Sequence, residues 1–115
     1  MPSHDNDNVT PVIFRACTFK EPEGRAAEIT AVFPAELGAY DANTMSCYAH
    51  LGQHGICDVG WYIRTRPATP EEYADLKREL EAAPFGYRFK VYDRMQPWMR
   101  TARLAQERSL RGRGA

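Results

Sequence analysis

Four residues that can bind a metal lie within one short stretch of the chain. They are Cys47, His50, His54 and Cys57, spaced C-x2-H-x3-H-x2-C. Two thiolates and two imidazoles can hold a tetrahedral zinc ion. The stretch lacks the paired C-x2-C of specific zinc motifs, and its alternating pattern places His50 on the opposite strand face from both cysteines. The alternative is two buried thiols and two surface or turn histidines, so we predict no metal and no other cofactor.

An acid–base pair is the second candidate for chemistry. His50 is predicted to lie across from Asp58, and a carboxylate beside an imidazole fixes its tautomer and stabilises its protonated form. Ser46 shares that strand face, but nothing in the sequence marks a nucleophile elbow, a Walker-type loop or a G-x-G-x-x-G. A cross-strand charge pair explains His50 and Asp58 as well. We therefore predict a protein without enzymatic activity.

The elements that would position these residues follow from hydrophobic periodicity. Alternating patterns predict strands at residues 12–19, 26–33, 45–51, 57–63 and 87–92. A turn at 21–24 joins the first two strands into a hairpin, and Pro34 is predicted to end the second. Thr69, Pro70 and Glu72 form a helix start with an N-cap hydroxyl, proline at the first helical position and a capping glutamate. A second helix is predicted at 98–110, so the order β-β-β-β-α-β-α defines an α+β domain with one sheet face under a helix.

The register of the third and fourth strands follows from the rule that paired side chains share a face. The apolar residues predict the pairs Leu51 with Cys57, Ala49 with Val59, and Cys47 with Trp61, which place Ser46 across from Tyr62. In this register Cys47 and Cys57 lie roughly 13 Å apart, which is too far for a disulfide. The odd count of three cysteines is typical of a reducing cytoplasm.

Several segments resemble a family of short uncharacterised proteins found in phages and other mobile elements. They are VIFR (12–15), ITAVFP (29–34), MSCYAHLGQHG (45–55) and TRPATPEEYADLKREL (65–80). The similarity covers most of residues 12–93, and HLGQHG and TRPATPEEY are its most specific parts. The resemblance implies a cytoplasmic protein in a mobile-element setting. It implies no catalytic residue, because no activity is established for that family.

Charge is divided unevenly along a chain whose net charge is zero. Residues 1–87 carry an excess of six acidic groups and residues 88–115 an excess of six basic groups. We predict a flexible N-terminus at 1–8, a single domain at 9–95 and a basic helical segment at 96–115. Deletion of residues 97–115 should then leave a folded domain. The basic segment has an acidic or nucleic-acid partner, or matches the acidic part of its own chain.

Two binding surfaces are predicted. The first is a sheet face where aromatic rings alternate with cations, as single-stranded nucleic acid requires; its residues are Tyr48, His50, Asp58, Tyr62, Arg64, Arg88, Lys90 and Tyr92. The second is a protein-binding surface on the terminal helix, where Trp98, Met99, Arg100 and Arg103 are of the types found in interface hot spots; Trp98 could instead dock that helix onto its own domain. We predict a cytoplasmic protein-binding module without a membrane span. Binding of single-stranded nucleic acid is the alternative function, and zinc binding is the least favoured of the three.

Overall fold

The computed structural model describes residues 9–17, 28–49 and 54–114, and it confirms the α+β class. Its elements are β1 (Thr10–Cys17), β2 (Glu28–Leu37), β3 (Thr44–Ala49), β4 (His54–Asp58), α1 (Val59–Arg64), β5 (Arg66–Pro67), α2 (Pro70–Glu81), β6 (Phe89–Val91) and α3 (Pro97–Gly114). The short helix α1 and the two-residue strand β5 were not predicted. The predicted N-terminal segment 1–8, the turn at 21–24 and His50 lie outside the described residues.

The strands form one six-stranded sheet in the order β4-β3-β2-β1-β5. β1 to β4 pair antiparallel in sequence. The far edge of β1 is shared, since β6 runs parallel to its first half and β5 antiparallel to its second half. β1 and β2 are therefore internal strands, and their side chains are buried on both faces of the sheet.

Helices cover both faces of this sheet. α2 packs on one face, over a core formed by Val12, Phe14, Ala31, Phe33, Tyr48, Leu76 and Leu80. α1 and α3 pack on the other, over Ile13, Val32, Met45, Cys57, Tyr62 and Met99. The prediction of one covered face and one open face is therefore wrong. It also assigned Phe33 and Cys47 to the same face, whereas Cys47 pairs with Val32 and shares the face of α1 and α3.

The predicted register of β3 and β4 is wrong. Cys47 lies opposite Gly55, and Cys57 lies opposite Met45. Both registers keep the cysteines on one face, so alternation alone does not distinguish them. Asp58 lies across from Thr44 and cannot be the cross-strand partner of His50. The predicted pairs of Val59, Trp61 and Tyr62 do not form, because these three residues belong to α1.

α1 replaces the second half of the predicted fourth strand. Asp58 is its N-cap and accepts a hydrogen bond of 2.7 Å from the backbone N–H of Trp61. The helix ends against β1, where the buried Arg15 donates to the backbone oxygens of Tyr62 and Thr65 at 3.3 and 2.6 Å. A buried guanidinium thus adds a third donor to the Tyr62 carbonyl, which already accepts from the backbone N–H and the hydroxyl of Thr65, and it also bonds the carbonyl of Thr65 itself.

β2 continues past Pro34, contrary to prediction. Its register with β3 is interrupted between Phe33 and Leu37, as in a β-bulge. Side chains of α3 satisfy the backbone groups that this irregularity releases. Arg103 donates to the oxygen of Pro34 at 2.5 Å, and the Gln106 amide bonds both Leu37 N–H at 2.8 Å and Ala35 O at 2.7 Å.

α3 therefore belongs to the folded unit, and the boundary at residue 95 falls inside it. Met99 and Arg103 are almost completely buried against the sheet. Removal of residues 97–115 would uncover this core, so we now expect loss of cooperative folding rather than an intact domain. α3 has 18 residues, but no helix in the described ranges is apolar enough at sufficient length to cross a membrane.

The predicted start of α2 is confirmed in detail. Thr69 caps the helix, Pro70 occupies its first turn, and the carboxylate of Glu72 accepts from the backbone N–H of Thr69 at 2.9 Å. The same carboxylate pairs with both terminal nitrogens of Arg66, at 2.9 and 2.7 Å. These hydrogen bonds, that of Arg66 foremost, lower the pKa of Glu72 to about 2.

Replacing Glu72 by glutamine should destabilise the protein in a pH-dependent way. The glutamine amide can still accept from Thr69, but it loses the charge that attracts Arg66. A lowered carboxyl pKa stabilises the fold above the ordinary value near 4.5, and this contribution disappears as the pH falls towards 2. The pair is exposed, so we expect a loss of about 0.2–1 kcal/mol at pH 7.

Urea unfolding at pH 7 and pH 3 measures this difference. Glu71→Gln is the matched control, because Glu71 is in the same first turn and forms no ion pair within the described residues. The interpretation fails if the loss in Glu72→Gln is the same at both pH values, or if Glu71→Gln matches it.

Gln106→Ala tests whether α3 supports the irregular part of β2. The substitution leaves Leu37 N–H and Ala35 O without their side-chain partners in a partly buried setting, at a cost of about 1–2 kcal/mol in the free energy of unfolding. Arg108→Ala, on the exposed side of the same helix, should change it by less than about 0.5 kcal/mol. Chemical denaturation measures both, and equal losses would contradict the role given to Gln106.

Candidate functional site

An open groove of about 400 Å³ lies where α1 faces the start of α3. Its walls are apolar and cationic, and they include Val59, Tyr62, Ile63, Pro97, Arg100 and Arg103. No carboxylate lines the groove within the described ranges. Since apolar groups and positive charge meet in one concave surface, the groove is suited to a ligand that carries both an anion and an apolar group.

Arg103 forms the fixed part of the cationic wall. It is 1% exposed, and its Nε donates to the oxygen of Ala42 at 2.7 Å while Nη1 donates to Pro34 O. Nη1 also lies 3.3 Å from the sulfur of Met95. Burial lowers the pKa of Arg103, and the nearby positive charge of Arg100 lowers it further. Carbonyl acceptors hold this guanidinium in place but leave its charge uncompensated.

Arg100 forms the exposed part of the same wall. It precedes Arg103 by three residues on α3, so the two side chains lie on neighbouring positions of one helix face. In the described part of the chain, Arg100 has neither a hydrogen bond nor an ion pair. Two like charges side by side without a carboxylate repel each other, and a bound anion would relieve this repulsion.

Tyr62 contributes a hydroxyl group without a partner. The residue is 8% exposed, and among the described residues its hydroxyl is the buried side-chain polar atom that lacks a hydrogen bond. The guanidinium of Arg15 lies 4.2 Å from the centre of its ring and holds that ring by a cation–π contact. An unsatisfied buried hydroxyl is unusual in a folded protein, and this one lies on a residue that lines the groove.

Exposed apolar side chains border the groove. Ile63 is 71% exposed, and Trp98, next to the groove residue Pro97, is 39% exposed. Trp98 packs edge-to-face against Tyr92, with ring centres 6.0 Å apart, and the Lys90 ammonium lies 5.6 Å from the Tyr92 ring. Thus three of the predicted surface residues, Lys90, Tyr92 and Trp98, do come together.

The other residues of the predicted sheet-face platform do not share one surface. Tyr48 is buried beneath α2 and donates to the carboxylate of Glu79 at 2.5 Å. Tyr62 is buried on the opposite face, and Asp58 is the N-cap of α1. Arg64 and Arg88 are exposed, at the end of α1 and just before β6. The placement of these residues together on an open face is therefore a wrong prediction.

Of the zinc pattern, the three residues that the structure describes do not converge, and His50 lies outside the described residues. Cys47 and Cys57 lie on the face of α1 and α3. His54 lies on the face of α2, where its Nε2 is 2.9 Å from the hydroxyl of Tyr87 and its ring contacts Phe33 and Tyr48. No group of three potential metal ligands occurs in the described ranges. The two cysteines are diagonal neighbours, so their predicted separation of about 13 Å is wrong.

Sequence analysis missed Arg15, Gln106 and Tyr87, each of which positions part of this structure. Arg15 could have been found, because it is a single charge inside an apolar strand pattern, and such a charge must be paired in the folded protein. Gln106 and Tyr87 gave no comparable indication, since both acquire their partners only through contacts between distant parts of the chain.

The fold and the groove together define an α+β protein with a cationic, partly apolar groove. Comparison of the chain with protein families, with curated proteins and with solved structures found no match. The resemblance to proteins of phages and mobile elements therefore stays a prediction.

A matched pair of tyrosine substitutions tests the free hydroxyl. Tyr62→Phe removes a group without a partner, so the free energy of unfolding should stay unchanged or rise by up to about 1 kcal/mol. Tyr48→Phe removes the hydrogen bond to Glu79 and should cost about 1–3 kcal/mol. Chemical denaturation measures both, and a loss in Tyr62→Phe as large as that in Tyr48→Phe would show that the Tyr62 hydroxyl is satisfied.

Proposed function

We propose that this protein is a non-catalytic binding module whose groove between α1 and α3 holds an acidic segment of a partner protein. The observation that carries the proposal is the guanidinium pair of Arg100 and Arg103, which lines the groove without any carboxylate among the described lining residues. Arginine at such a position recognises carboxylates through paired, charge-assisted hydrogen bonds.

The groove divides the recognition between charge and apolar contact. A carboxylate of the partner accepts from Arg100, which is exposed and has no partner within the described residues. The long-range field of the fixed Arg103 supports the same anion. An apolar side chain of the partner packs against Ile63 and Pro97, and the covered surface of Ile63 adds hydrophobic free energy.

The same surface is poorly suited to single-stranded nucleic acid. Bases bind such proteins by stacking on exposed aromatic rings. Tyr48 and Tyr62 are 1% and 8% exposed, so neither ring face is available. Apart from the buried Tyr62, the apolar lining beside the arginines consists of Val59, Ile63, Met95 and Pro97, which are suited to packing against protein side chains. We therefore favour an acidic peptide over a nucleic acid.

The cellular setting is part of the proposal. The resemblance to proteins of phages and mobile elements supports a cytoplasmic protein that acts by occupying a host or phage protein. The proposal thus places the basic surface on this protein and the acidic segment on its target.

The experiment measures fluorescence anisotropy of a labelled eight-residue peptide that alternates glutamate and leucine. Its glutamine analogue and a labelled single-stranded oligonucleotide are the comparison probes. We expect binding of the acidic peptide at low salt, and a loss of about tenfold or more in affinity in Arg100→Glu. Arg108→Glu makes the same charge change on an exposed part of α3 outside the groove, and it should leave the affinity within about twofold.

Three outcomes would overturn the proposal. Equal losses in Arg100→Glu and Arg108→Glu would show that net charge, not the groove, attracts the peptide. Tighter binding of the oligonucleotide than of the peptide would favour the nucleic-acid alternative. No binding of the acidic peptide at low salt would remove the groove as an acidic-segment site.

A further inference from the structure

Cys47 and Cys57 form a thiol pair on the same face of the β3–β4 hairpin. Cys47 lies opposite Gly55, and Cys57 lies opposite Met45, so the two cysteines are diagonal neighbours on adjacent strands. The residue across from Cys47 is a glycine, and a Cβ built there would lie 3.9 Å from the Cys47 sulfur. The cross-strand position beside Cys47 is therefore unoccupied by a side chain, and its sulfur is free to turn towards Cys57.

The two thiols have different surroundings. Cys47 is half-buried, whereas Cys57 is buried in the core beneath α3. The Cys57 thiol and the backbone N–H of Gly55 are the groups that act most strongly in favour of the Cys47 thiolate. These groups lower the pKa of Cys47 despite partial burial, while the same Cys57–Cys47 contact and burial raise the pKa of Cys57.

We propose that Cys47 and Cys57 are a peroxide-oxidisable dithiol, in which Cys47 is oxidised first and Cys57 then closes a disulfide. The geometry supplies both requirements of such a site: a partly exposed sulfur beside a glycine, and a second cysteine at the diagonal position of the adjacent strand on the same sheet face. The oxidant is hydrogen peroxide or an organic hydroperoxide. This inference is independent of the proposed acidic-segment site.

The reaction balances in two steps. The Cys47 thiolate attacks one oxygen of hydrogen peroxide, the O–O bond breaks, and the leaving hydroxide takes a proton to become water, which leaves Cys47 as a sulfenic acid. The Cys57 sulfur then attacks the Cys47 sulfur, the S–O bond breaks, and the thiol proton leaves with the departing hydroxide as a second water. Two electrons pass from the two sulfurs to the peroxide, and a reducing dithiol reverses the result.

Cys17 provides an internal control. It is 1% exposed and is the last residue of β1, where it pairs with Glu28 of β2. Cys47 pairs with Val32, whose partner in β1 is Ile13. Ile13 is thus the position of β1 nearest to Cys47, and Cys17 lies four residues further along β1, which is roughly 13 Å. Cys17 therefore cannot join the pair without unfolding.

The experiment treats the folded, reduced protein with hydrogen peroxide and counts thiols by maleimide labelling and intact mass. No Lys or Arg occurs from Ala26 to Ile63, so trypsin leaves both cysteines in one peptide, and chymotryptic cleavage after Tyr48 separates them for mapping. We expect loss of 2 Da, a mapped link between Cys47 and Cys57, a still-reduced Cys17, and full recovery with dithiothreitol.

Single substitutions separate the two roles. In Cys57→Ala, dimedone should trap a sulfenic acid on Cys47, because the second sulfur is absent. In Cys47→Ser, thiol loss should slow by about tenfold or more, and Cys17→Ser should oxidise like the natural chain. The wild-type mapping needs no variant, so it holds even if a substitution prevents folding.

The inference is overturned if the mapped link includes Cys17 or a second molecule. It is also overturned if Cys47 is oxidised in the natural chain without a bond to Cys57, or if Cys47→Ser loses thiols as fast as the natural chain does.

Discussion

The guanidinium of Arg103 connects α3 to the sheet, and much of the structure depends on this connection. It donates to the backbone oxygens of Pro34 and Ala42, which belong to the irregular end of β2 and to the loop that follows it. Both acceptors would otherwise be carbonyl groups facing a buried helix, and such groups are costly when unpaired. Because Arg103 also lines the groove, the interaction that stabilises the fold places a positive charge at the candidate site.

Arg15 repeats this arrangement at the end of α1. Like Arg103, it is buried and donates to backbone oxygens, and no carboxylate pairs with either within the described residues. Burial lowers the pKa of both groups. A guanidinium nevertheless stays protonated in proteins, so each keeps its charge. The region between α1 and α3 therefore combines structural cations with a shortage of anions among the described residues, which is the basis of the proposed acidic-segment site.

Local patterns in the sequence predicted the elements that depend on local interactions. The capping residues Thr69 and Glu72 satisfy backbone groups within three positions, so they located α2 correctly. The alternation of Val59, Trp61 and Ile63 predicted a strand, but a six-residue helix capped by Asp58 accommodates the same residues. Periodicity cannot separate the two at this length, because what decides is the contact of α1 with Arg15, fifty residues earlier than Thr65.

The candidate site shows the same contrast between what local sequence predicts and what contacts between distant residues decide. Composition identified Arg100, Arg103 and Tyr62 as surface residues able to bind, but it could not show that Arg103 and Tyr62 are buried. The register of β3 and β4 could not be predicted either, because a shift by an even number of residues preserves the alternating pattern. That register decides whether Cys47 and Cys57 are in contact or far apart.

The thiol pair is connected directly to the α1 wall of the groove. Cys57 is followed directly by Asp58, the N-cap of α1, and α1 carries Tyr62 and Ile63 into the groove. The positive charge of Arg103 also acts on the Cys57 thiol, where it opposes the other effects on its pKa. Since both faces of the sheet are covered by helices, binding and chemistry are confined to the places where those layers meet solvent. The end of the β3–β4 hairpin beside α1 and α3 is such a place. The partly exposed Cys47, the exposed Arg100 and the Tyr62 hydroxyl all belong to this layer of the structure.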